Sequence, residues 1–149
     1  MRNIELFDEY AARIFADLYQ SFPVRKPLDA RKLCGHAEHD EYGRIVDERG
    51  EPSKPFEIAR ATIAWLQDTG YIRGTDLHVW GLSQAVLSPM GLAVLKSVPS
   101  SLKVEESTGD RLTRMVREGS YEGAKDLVKS AITTGSAMLM SAAGLTGTQ

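Results

Sequence analysis

The sequence holds a single cysteine in 149 residues. No disulfide can form within the chain, and a cytoplasmic setting is the natural expectation. It is also short of net charge: 18 Lys and Arg stand against 20 Asp and Glu, giving −2 with the histidines neutral. The basic excess that marks a polyelectrolyte partner, nucleic acid or membrane surface, is missing. Long apolar runs are missing too. A membrane span needs about 20 apolar residues, and the nearly uncharged C-terminal segment Ala131 to Leu145 is shorter and carries Thr133, Thr134, Ser136 and Ser141. The first ten residues include Glu5, Asp8 and Glu9, unlike the basic start of a secretory leader. Phosphate-loop, dinucleotide-loop and His-Glu-x-x-His motifs do not occur, and neither does a Gly-x-Ser-x-Gly elbow. The expectation is a protein that is not an enzyme and needs no cofactor.

What the chain does have is 42% hydrophobic and 26% charged residues, the balance of a globular domain able to build its own core. Phe7, Tyr10, Ala11, Ile14, Leu18 and Phe22 recur at spacings of three and four. They predict a helix over Ile4 to Ser21, ended by Pro23. Pro27 to Cys34 reads as a short helix with Asp29 as a cap and Gly35 as a stop. Residues 36–53 form a polar insertion, with a small strand expected at Arg44 to Val46 and a turn at Arg49-Gly50.

The organising stretch is Lys54 to Pro99. Ile58, Ala59, Thr62, Ile63 and Leu66 give a buried helical stripe, and Gly70 ends it. Tyr71-Ile72 opens a strand. Leu77 to Trp80 and Ala85 to Leu87 read as short strands, with Gly81, Leu82 and Ser83 as the turn between them. Ser88-Pro89 is a helix start, serine as N-cap and proline in the first turn. Leu18, Ile63, Leu66, Val86 and Leu92 are expected to share one core. Beyond a linker, Ser107 and Asp110 make a near capping box. A helix from Tyr121 to about Ala143 follows, with Ala124, Val128, Ala131, Gly135 and Ala142 on one small-residue seam.

The helix–strand–strand–helix order, together with the Gly70-Tyr71-Ile72 junction and the Leu87-Ser88-Pro89-Met90-Gly91-Leu92 segment, resembles the second half of a winged helix-turn-helix domain. The resemblance implies a mainly α fold with a small antiparallel β-hairpin. It covers residues 1–100, and 107–145 form a helical extension. The long insertion between the second and third helices departs from the family's short turn. By resemblance the third helix enters a DNA major groove and the hairpin wing touches the backbone. Arg60 and Gln67, seven residues apart on one helical face, are then the base readers, and Lys54 and Arg73 neutralise phosphates. Glu57, Asp68 and Asp76 oppose them. The function expected is a transcriptional regulator that binds double-stranded DNA and dimerises through the C-terminal seam. The alternative is a protein-interaction module without nucleic-acid binding, which contacts its protein partner through Trp80 and Leu82 at the wing tip.

Cys34, His36 and His39, with Asp40, are the remaining cluster of ligand-type residues. One Cys-x-His-x-x-His run supplies half of a zinc motif, since a tetrahedral site pairs ligands from two such halves. No metal is expected there.

Overall fold

Helix α1 (Asn3–Ser21) follows the apolar spacing of its sequence. Tyr10, Ala11, Ile14, Phe15 and Leu18 are buried, and the main chain leaves the helix just before Pro23. Its first turn carries Glu5, which accepts a hydrogen bond from the Arg2 amide at 2.9 Å and complements the positive end of the helix. The computed structural model describes residues 2–35, 51, 53–97 and 106–147, with side chains as far as Ala142.

Strand β1 (Lys26–Asp29) and helix α2 (Ala30–Cys34) come next. The single helix read over Pro27 to Cys34 is corrected here: its first half is a strand. Pro27 is tolerated because β1 is an edge strand, in a three-stranded antiparallel sheet ordered β1-β3-β2. Asp29 does cap α2, accepting from the Arg31 amide at 2.9 Å, and Gly35 ends it in the left-handed region.

Helix α3 (Lys54–Asp68) starts at Ser53, whose side chain accepts from the Phe56 amide. Phe56, Ala59, Thr62, Ile63 and Leu66 are its buried face. Strands β2 (Ile72–Leu77) and β3 (Gly81–Leu87) form the hairpin. The turn expected at Gly81-Leu82-Ser83 lies earlier. His78 and Gly81 exchange amide bonds at 2.6 and 3.3 Å around Val79 and Trp80. Gly81 pairs with Asp29, and Leu82 pairs with Leu28. A side chain at Gly81 would put its Cβ 1.9 Å from the Leu28 carbonyl oxygen. The glycine closes the turn with His78 and also permits the close approach of β1.

Helix α4 (Pro89–Lys96) opens as its sequence implies, with Ser88 Oγ accepting from the Gly91 amide at 3.0 Å. Helix α5 (Thr108–Glu118) is capped by Ser107, which accepts from the Asp110 amide. Helix α6 (Tyr121–Gly147) follows after Gly119-Ser120. The helical pair does not stand apart from the sheet. Leu112, Ala124, Val128 and Ala131 belong to the same buried cluster as Leu18, Ile63 and Leu66. Leu92 packs at the margin of that cluster, and Val86 is buried outside it.

The seam expected to bind a second copy is therefore filled within the chain. Ala124, Val128, Ala131 and Gly135 are buried, and a Cβ on Gly135 would fall 2.4 Å from the Tyr71 ring. Small residues do permit close approach here, but the neighbours are Tyr71 and the chain's own helices. Ala142 alone of the five is exposed.

Ile63 sits at the centre of this arrangement and is fully buried. Ile63→Ala should lower the unfolding free energy by about 2–5 kcal/mol. A urea titration measures it, and a loss near zero would contradict the core described here.

Candidate functional site

The four residues expected to face DNA separate into two pairs. Lys54 is exposed at the start of α3, and Arg73 is exposed near the start of β2. Arg60 and Gln67 share one face, as their spacing implies, but that face looks onto the hairpin. Arg60 Nε donates to the His78 carbonyl at 2.9 Å, and Gln67 Nε2 donates to the Gly74 carbonyl at 3.2 Å. Both side chains fasten the helix to β2 and its turn. The fully exposed positions of α3 are Lys54, Glu57, Ala61, Trp65 and Asp68, two carboxylates against one ammonium.

At the wing tip, Trp80 is half-buried and stacks on the His78 ring, centroids 5.0 Å apart. His78 Nε2 also lies 3.1 Å from Ser83 Oγ. Leu82 is buried in β3, so the expectation that it forms a contact surface at the tip is corrected: it points into the core because it pairs with Leu28. The apolar side chains exposed at the tip are Leu77 and Val79.

The larger apolar surface lies on the other side of α3. A groove of about 620 Å³ runs between α1, α3 and α6. Ile4, Phe7, Ile58, Ala61, Trp65 and Ile132 line it, with Asn3 and Thr62 as its polar members, and none of these carries a charge. Trp65 is 41% exposed and Ile4 54%. Trp65 is held rigidly even so. Its ring stacks on Tyr71 at 6.1 Å and meets Phe7 edge-on at 5.3 Å. Fixed aromatic rings of this kind give large contact area at little entropic cost. Nothing in the spacing along α3 itself shows that three helices converge on Trp65.

A buried charge lies at the α1–α6 seam. Asp8 is buried, with Lys129 Nζ at 3.9 Å. Burial raises its pKa above the ordinary 3.8, and Lys129 and Lys125 recover only part of that. Nearby, the Arg13 guanidinium lies over the Tyr121 ring at 4.8 Å.

Cys34 is half-buried at the end of α2. His36, His39 and Asp40, with the strand expected at Arg44 to Val46 and the turn at Arg49-Gly50, lie outside the described residues. Among the described residues no three metal-binding side chains cluster, and no helix is long and apolar enough to cross a membrane. Comparison with protein-family models, curated proteins and solved structures gives no match to this chain.

The raised Asp8 value has a definite sign. The folded chain binds that proton more tightly than the unfolded chain does. The contribution to stability is therefore complete below the ordinary carboxyl value and is lost as pH rises through the raised one. Asp8→Asn should gain stability relative to wild type as pH increases across that window. Urea titrations at low and neutral pH measure the difference. A relative loss on going to neutral pH would show instead that the ionised Asp8–Lys129 pair favours the fold.

Proposed function

We propose that the chain is a non-enzymatic protein-interaction module on a winged-helix frame, and that its binding surface is the apolar groove between α1, α3 and α6. The order α1-β1-α2-α3-β2-β3, with β1 beside β3, supports the frame. The observation that carries the function is the division of labour on α3. Its candidate base readers, Arg60 and Gln67, are bonded to the hairpin backbone, while the open face presents Trp65 to an uncharged groove. Exposed, contiguous apolar surface of this kind marks an association site, and a central aromatic is the usual anchor of one.

A DNA-binding regulator is the second reading. Exposed Lys54 at the start of α3 and exposed Arg73 on β2 favour it. Glu57 and Asp68 between them oppose it, because carboxylates on that face repel phosphates.

Titration of labelled random-sequence duplex at low salt, followed by fluorescence anisotropy, separates the two. The interaction module should show no saturable binding. A regulator would retain nonspecific affinity that falls with salt, and Lys54→Ala and Arg73→Ala would each lower the salt slope by about one. That result would overturn the proposal. Arg60→Ala sharpens the contrast: a base reader would lose about 1–3 kcal/mol of DNA affinity, whereas a hairpin tether loses fold stability.

A further inference from the structure

We propose that the occupant of the groove is a second copy of this chain, which inserts the exposed end of its own α6 and receives the first copy's in return. The inference rests on the reading of the groove as the binding surface and names its partner.

Helix α6 is 27 residues long, about 40 Å at 1.5 Å per residue. Its own domain covers only the first part. Ala124, Val128, Ala131 and Gly135 are buried, whereas every residue from Ser136 to Ala142 is exposed. Three of these are large and apolar: Met138, Leu139 and Met140, with Met140 74% exposed. The sequence has no charged residue after Lys129, so nothing on this arm asks for a charged partner.

The groove has the matching character, apolar and uncharged along its lining. The two surfaces meet on one helix, since Ile132 forms a wall of the groove and the arm begins one turn further on. That continuity decides the occupant. The arm continues from the groove wall as uninterrupted helix, so it cannot fold back into the groove beside it. An identical arm from another molecule meets no such restriction. A two-fold axis then satisfies both surfaces at once, arm into groove and groove around arm, as closed isologous association requires. Met138 and Met140 are suited to such a site, because unbranched thioether side chains adapt to an irregular apolar surface.

The test is sedimentation velocity of the full chain over a wide concentration range, with two surface variants. Leu139→Glu places a charge on the arm, and Ala61→Arg places one in the groove. Both positions are exposed, and circular dichroism checks that each variant folds. Wild type should show a monomer–dimer equilibrium. Each variant alone should dimerise more weakly by on the order of tenfold or more, since a charge would be carried into an apolar contact. Mixing the two should restore association. In the mixed pair both defects fall in the same arm–groove contact and the other contact is intact. Rescue on mixing is the signature of reciprocal exchange.

A chain that stays monomeric at high micromolar concentration overturns the proposal, as does a dimer that neither variant weakens. Wild type that remains monomeric but floats with neutral phosphatidylcholine vesicles also overturns it, and makes the arm's partner a lipid surface. None of these outcomes bears on the duplex titration, so a failure here and a failure of the interaction reading are told apart.

Discussion

Tyr71 is the constraint on which the rest of the structure depends. It follows the left-handed Gly70 at the end of α3 and is almost wholly buried. Its phenol donates to the Ile132 carbonyl of α6 at 2.8 Å. Its ring lies between Phe15 of α1 and Trp65 of α3. Its carbonyl accepts from the Ser88 amide at 3.1 Å and the Ser88 hydroxyl at 3.0 Å, which ties it to the start of α4. One residue thus joins four helices to the sheet. A buried hydroxyl must find a partner, and here the partner is a helix that arrives sixty-one positions later in the chain. Gly135 is small because the ring occupies the space a side chain would need.

The direction of α6 follows from that contact, and so does the surface left open. Once Ile132 is held over Tyr71, α6 forms the third wall of a groove whose other walls are α1 and α3. Trp65 is buried on one side by Tyr71 and Phe7 and left open on the other. The hairpin is fixed independently, by Arg60 and Gln67 reaching across to its carbonyls. The Gln67 bond caps a carbonyl on β2, an edge strand whose open backbone would otherwise invite another strand. Two polar side chains of α3 are therefore engaged within the molecule, while Ala61 and Trp65, beside its buried stripe, face outward.

Much of this could be read along the chain. Features set by neighbouring residues were legible: the stops at Gly35 and Gly70, the caps at Asp29, Ser88 and Ser107, and the shared face of Arg60 and Gln67. Features set by distant partners were not. Strand β1 is four residues with a proline, and it exists because it pairs with Gly81 to Ala85. Gly81-Leu82 looked like a turn because glycine there answers a backbone that arrives from β1. The small-residue seam was recognised as a site of close approach, but whether its partner was this chain or another depended on Tyr71. The groove has no local signature at all, since Phe7, Trp65 and Ile132 come from three separate helices.

The central claim is that α6 is one helix in two environments, its first part fastened to the core through Tyr71 and its end presented for association. Hydrogen exchange of the α6 amides in the full chain, followed as a function of protein concentration, tests this most directly. The account predicts that amides from Ala124 to Gly135 exchange as slowly as those of α1 and α3 at every concentration. Amides from Met138 to Ala142 should exchange quickly in dilute solution and slow as concentration rises. Uniform rapid exchange along the whole of α6 would contradict it, because the helix would then have no place in the core.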